Sequence, residues 1–195
     1  MMKTQIKTTL VLALTVFAST VFANGVDTYI KVREDKTFSV HRNTGGLLNL
    51  TFKDTGDKVL YRATDFSNER FAGYFDLENL PVGTYFLEVE DTEKISTYPV
   101  KVERHGLAID KKNAKHIFKP ALNVSDRRVG VSMLNTMNTP LEVAIYNSNK
   151  ELINIYSIDD KTVNKFFDLS QLGNDVYSFV LKVGGKRFEK TVTIR

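Results

Sequence analysis

The second half of this 195-residue chain repeats the first, and that duplication constrains the fold more than any other feature. Lys36–Leu60, carrying FSVHRNTGGLLNLTFKDTGDKVL, aligns without a gap on Val129–Ile153, carrying VSMLNTMNTPLEVAIYNSNKELI. After a one-residue shift, FDLENLPVGTY at Phe75–Tyr85 lies on FDLSQLGNDVY at Phe167–Tyr177. A repeat of this length means two copies of one folding unit, each with its own core. We therefore read residues 24–103 as the first unit and 104–195 as the second.

The N-terminus stands apart from both. Lys3 and Lys7 precede an uncharged apolar stretch, TTLVLALTVFASTVF, and Val21-Phe22-Ala23 offers a cleavage site before Asn24. That is the pattern of a secretory signal peptide over residues 1–23, and the stretch is shorter than the roughly 20 residues of a spanning helix. No later segment is apolar and long enough to cross a membrane as a helix. The reading is an exported chain: periplasmic, at the cell surface or secreted.

With no cysteine, the chain must be held by packing rather than disulfides, and no cysteine nucleophile is available. Removing the two leader lysines lowers the formal charge from +4 to +2, too near balance for a dedicated nucleic-acid binder.

Alternation of apolar and polar residues runs through Phe38/Val40, Leu48/Leu50/Phe52, Val129/Val131/Met133 and Leu141/Val143/Ile145. That period of two marks half-buried strands. Turn signals recur between them, at Asn43–Gly46, Asp54–Asp57, Asn147–Asn149 and Gly184-Gly185. The fold class is all-β: two tandem immunoglobulin-like β-sandwiches.

The sharpest local motif occurs twice. Asp76 and Asp168 each open a Leu-x-x-Leu segment that leads to Tyr85 or Tyr177, with Gly83 and Asp175 two residues before the tyrosine. The aspartate is expected to cap a single helical turn and the leucines to face inward. Gly83 is expected to adopt a backbone conformation that other residues avoid, and each tyrosine hydroxyl to bond back across a corner.

The segment from about Glu103 to Pro120 carries Arg104, Lys111, Lys112, Lys115 and Lys119. It reads as a solvated linker or edge, with contact to an acidic polymer or lipid headgroup as the sharper alternative.

Catalytic and metal signals are weak. Asp54-Thr55-Gly56 matches the aspartic-protease tripeptide, but the matching position of the second repeat is Asn147-Ser148-Asn149, which has no carboxylate to complete the pair. The segment reads as a hairpin turn. His41, His105 and His116 are scattered, and Asp91/Glu93 and Asp159-Asp160 are too sparse for a calcium loop. No cofactor is implied.

From about Pro140 to Arg195 the chain resembles the type A sorting domain of the type IX secretion system of Bacteroidota, on LEVAIYNSNKELI, FDLSQLGNDVY and FVLKVGGKRFEKTVTI. The resemblance implies a β-sandwich that directs cargo across the outer membrane and is cleaved off. The first repeat carries the same corner far from the C-terminus, which makes the motif a determinant of fold. The leading expectation is an exported, non-catalytic binding or structural protein with an unknown protein or cell-envelope partner. The alternatives are a type IX cargo with a removable C-terminal repeat and a hydrolase with an unrecognised carboxylate pair.

Overall fold

A computed structural model describes residues 28–33, 36–43, 45–65 and 70–195. The leader and the cleavage site at Ala23 and Asn24 lie outside the described residues.

The alternating segments form strands, and the described residues contain no helix. The first repeat supplies β1 (Thr28–Val32), β2 (Thr37–Arg42), β3 (Leu48–Asp54), β4 (Val59–Asp65), β5 (Phe71–Asp76), β6 (Gly83–Glu90) and β7 (Lys94–Glu103). Two short strands follow, β8 (Gly106–Ile109) and β9 (Lys115–Phe118). The second repeat supplies β10 (Ala121–Ser125), β11 (Arg128–Leu134), β12 (Leu141–Tyr146), β13 (Leu152–Ile158), β14 (Thr162–Asp168), β15 (Asp175–Val183) and β16 (Lys186–Ile194).

Both repeats follow one topology. Sheet β1-β2-β5 corresponds to β10-β11-β14, and β4-β3-β6-β7 to β13-β12-β15-β16. Apolar residues from alternate positions fill the space between each pair of sheets. Phe38, Val40, Leu50, Leu87, Val100 and Val102 form the first core, and Val129, Val131, Leu141, Val143, Phe179 and Leu181 lie in the second.

The ladders correct the gapless alignment. Asp76 pairs with Thr37 and Asp168 with Arg128, so Phe38 corresponds to Val129, two residues away from the sequence match. Asp54 lies across from Tyr85, and Asn147, which follows Tyr146, reaches the level of Tyr177, so β3 and β12 do obey the sequence match. The β11–β12 connection is therefore two residues longer than β2–β3. A shift of two leaves an alternating pattern unchanged, which is why the sequence did not show it.

The boundary at Glu103 is also corrected. Residues 106–118 hydrogen-bond to β7, β8 along Val100–Glu103 and β9 along Lys94–Thr97. They belong to the first sheet, and the chain changes sheet near Pro120. Two connector lysines are engaged within the protein: Lys111 donates to the Ile30 carbonyl at 2.7 Å, and Lys119 pairs with Glu90 at 2.7 Å.

At the corners, Asp76 accepts from the Glu78 N–H (2.8 Å) and Asp168 from the Ser170 N–H (2.9 Å). Each leads into a β-turn closed by Leu80 N to Leu77 O or Leu172 N to Leu169 O, both at 3.0 Å. The expected helical turn is thus a four-residue β-turn. Leu77 and Leu169 are buried. The Tyr85 hydroxyl donates to the Pro81 carbonyl and that of Tyr177 to the Gly173 carbonyl, each at 2.9 Å.

Gly83 departs from expectation. It does not have a positive φ, and a Cβ there would meet Tyr85 at an ordinary 3.7 Å. The second repeat accordingly carries Asp175 at this place, accepting from Val176 N–H and from Ser148. Tyr85→Phe and Tyr177→Phe are each expected to destabilise the chain by about 1 kcal/mol, the loss for one hydrogen bond. Denaturant titration of the two variants measures it, and unchanged midpoints in both would remove the corner bonds from the account.

Candidate functional site

The two repeats differ most at the outer edge of their last strand. In the first, β9 pairs along Lys94–Thr97 and β8 along Val100–Glu103 of the edge of β7, and β8 also lies against β1. Leu107 and Ile109 pack onto the first core. In the second repeat the equivalent strand, β16, has no partner on that side among the described residues.

Beside the open edge lies a groove of about 1070 Å³ where the repeats meet. Phe118, Leu122, Met133 and Phe188 supply its apolar lining, and Arg187 and Glu189 its polar rim. Arg187–Lys190 is the part of β16 that corresponds to Ile95–Tyr98 in β7, the stretch that β9 largely covers. Leu122 and Phe188 are only partly buried and pack against the second core.

The backbone phase of this edge can be read from the first repeat. N–H and C=O of one residue in an antiparallel strand point the same way. The Glu93 and Pro99 carbonyls accept from Lys119 N–H (2.7 Å) and Asp110 N–H (2.9 Å), so odd-numbered residues along β7 turn toward β8 and β9. Tyr85 faces Val100 and Tyr177 faces Val192, which sets Thr97 level with Glu189. The backbone of Glu189 therefore points away from β15, where none of the described strands pairs with it.

Salt bridges and packing join the repeats next to the groove. Glu88, on β6, receives Lys186 of β16 at 2.7 Å and Lys53 at 3.1 Å. Ile95 and Ile117, from the first sheet, pack into the second core. Thr136 donates to the His116 carbonyl. Burial pushes the Glu88 carboxyl up, but Lys186 and Lys53 outweigh it and hold it below its ordinary value of 4.5. A carboxyl depressed on folding contributes stability above that value and loses it as pH falls through the folded pKa. Stability should therefore drop below about pH 4.5, and Glu88→Gln should flatten that drop. Thermal melts across the acid range test this; an identical acid profile in the variant would refute the role of Glu88.

The residues marked for chemistry do not converge. Asp54 closes the β3–β4 hairpin, accepting from Gly56 N–H (2.9 Å) and Lys58 N–H (3.0 Å). His41 stacks on Tyr29, with centroids 4.9 Å apart, and bonds Ser39. His116 meets Ser96 at 2.9 Å, and burial together with Lys94 holds its pKa down. Among the described residues no three His, Cys, Asp or Glu side chains are grouped to hold a metal, and no helix is long and apolar enough to cross a membrane.

The groove was missed in the sequence because its signal lies in the first repeat. Gly106-Leu107-Ala108-Ile109 alternates like any strand, but the surrounding cations made it read as linker.

Two sandwiches with sheets of this order define a tandem pair of immunoglobulin-like or fibronectin type III-like domains. No family model and no curated protein matches the chain. Among solved structures it is similar to the BSP domain of a biofilm associated protein (14% identity, TM-score 0.31), covering 85% of this chain and 29% of that one. It is also similar to the FN1–FN3 domains of chicken CNTN1 (10% identity, TM-score 0.32), covering 87% and 66%. The strand topology, rather than these matches, carries the fold assignment.

Proposed function

We propose that this protein is an exported, non-catalytic binding or structural protein of the periplasm or cell surface that takes up an extended polypeptide segment of a partner along β16. One observation carries the reading: the chain lines the equivalent edge of its first repeat with β8 and β9, whereas among the described residues that of β16 is open beside a groove. Strand addition of this kind draws affinity from backbone hydrogen bonds and specificity from pockets for alternate side chains. The first repeat indicates the ligand chemistry: the stretch equivalent to Arg187–Lys190 is covered by β9, Lys-His-Ile-Phe, so the segment is one of basic and large apolar residues running antiparallel to the strand that receives it.

A synthetic peptide of residues 104–119 is the probe. It should bind the mature chain in the micromolar range, and Glu189→Pro should weaken binding at least roughly tenfold. The substitution removes an outward N–H and leaves the β15 ladder intact, as Pro99 does in β7. No binding, or binding indifferent to Glu189→Pro in a variant with an unchanged melt, would overturn the proposal.

The second reading, a removable sorting domain, predicts a released species that lacks the second repeat. Removal would uncover Ile95 and Ile117, which favours a retained repeat. Fractionation of the host with intact-mass measurement separates the two: a chain from Asn24 to Arg195 supports retention.

A further inference from the structure

The outer faces of sheets β1-β2-β5 and β10-β11-β14 differ in what surrounds one aromatic ring. Tyr74 and Phe166 occupy the same place, each one residue before the phenylalanine of its corner motif. Both turn to solvent, and Phe166, at 72%, is the most exposed large apolar side chain among the described residues. In the first repeat the ring is attended from within the chain. The Arg33 guanidinium lies over Tyr74, 4.8 Å from its centroid. His41 meets the ring edge-on, with centroids 6.2 Å apart, and Tyr29 stacks on His41.

The ladders give each of these neighbours a counterpart. Thr37 is level with Asp76 and Arg128 with Asp168, which matches Ser39 to Gly130 and His41 to Ser132. On the outer strand Tyr29 matches Ala121 and Lys31 matches Asn123. Arg33, whose N–H donates to the Thr37 carbonyl, matches Ser125, which pairs with Arg128. Each of these counterparts around Phe166 is smaller, and none is charged. They leave a cavity of about 690 Å³ with the ring in its wall. Gly130 seats the ring: a Cβ there would lie 3.1 Å from Phe166 Cε1.

Two arginines border the cavity, and among the described residues neither lies over Phe166. Arg127 donates to the Leu172 and Arg195 carbonyls, and Arg128 is turned to Asp168 at 3.9 Å. Two carboxylates share the rim, Asp126 and Asp168. The Ser170 N–H donates to Asp168 and holds its carboxyl below the ordinary value of 3.8, so this group is charged at neutral pH.

We propose that the cavity receives an arginine side chain of a partner protein, laid over Phe166 as Arg33 is laid over Tyr74, with Asp126 and Asp168 beside it. The first repeat shows the chemistry of the occupant, since the chain fills the equivalent place with a guanidinium of its own. A planar guanidinium stacks on an aromatic face, which favours arginine over the compact, strongly hydrated ammonium of lysine. The site lies on another sheet from the edge of β16 and does not rest on peptide binding there.

Nα-acetyl-arginine amide is the probe, titrated to about 50 mM against the mature chain and read in the aromatic-ring resonances. Those of Phe166 are assigned by their loss in Phe166→Leu. They should shift with a Kd in the millimolar range, while those of Tyr74, already covered, move less. Nα-acetyl-citrulline amide, of the same shape without the charge, should bind at least about threefold more weakly. Ser125→Arg puts a guanidinium at the counterpart of Arg33 and should abolish the response with the melt unchanged. No shift at Phe166, equal binding of the citrulline probe, or a response that survives Ser125→Arg overturns the proposal. Glu189→Pro should leave the response intact, so failure here and failure at β16 are told apart.

Discussion

Asp65→Ala is expected to destabilise the protein by about 3 kcal/mol, the cost of leaving a buried charge without its partner. Asp65 Oδ2 receives Arg42 Nη2 at 2.6 Å, and the Arg42 side chain has no solvent exposure while that of Asp65 keeps 24%. The guanidinium also donates to the Gly46 carbonyl at 2.6 Å. This pair joins β2 in one sheet to β4 in the other. The second repeat solves the same place without charge: Met133 stands for Arg42 and Ile158 for Asp65, both in its core. The double variant Arg42→Met/Asp65→Ile should therefore recover most of the loss, since apolar residues of similar volume commonly replace a buried ion pair at no cost. Urea titration of the single and double variants decides it. A double variant as weak as Asp65→Ala would mean that the repeats are not interchangeable here.

Gly184→Val should cost roughly 3 kcal/mol and loosen the contact between the repeats. Gly184 and Gly185 form the two-residue turn between β15 and β16, with φ of +54° and +75°. A β-branched residue is a steric outlier at such angles. A Cβ on Gly184 would also lie 3.0 Å from Ile117 Cδ1 and 3.0 Å from Met137 Cγ, where the first sheet meets the second core. Gly185 has open space around it, so Gly185→Ala isolates the backbone term and should cost only about 1 kcal/mol. Calorimetry is expected to show one coupled transition in the parent and two resolved transitions in Gly184→Val. A single transition in both would place the coupling elsewhere.

The strands and the duplication were legible because burial of one sheet face writes a period of two into the sequence. So was the one-residue difference between the first and second halves of each repeat, since the corner motif anchors it. The two-residue shift of β2 was invisible for the opposite reason, as nothing in an alternating strand distinguishes a slip of two. Arg42 sits in phase with Phe38 and Val40 and points inward with them, yet its charge suggests an outward position. β8 and β9 were hidden by lysines whose ammonium groups are partly spent on Ile30 and Glu90. The β16 groove exists only as a difference between two copies, so no single segment could announce it.

The unlike cores also bear on how the nascent chain sorts its own segments. Two related units in one polypeptide invite exchange, with a strand of one condensing into the half-formed sheets of the other. If β2 took the place of β11, Arg42 would enter a site that offers Ile158 instead of Asp65, and its guanidinium would lose its carboxylate. The reverse exchange would set Met133 against the Asp65 carboxylate. The Arg42–Asp65 pair thus makes mistaken assembly of the two units costlier than correct assembly.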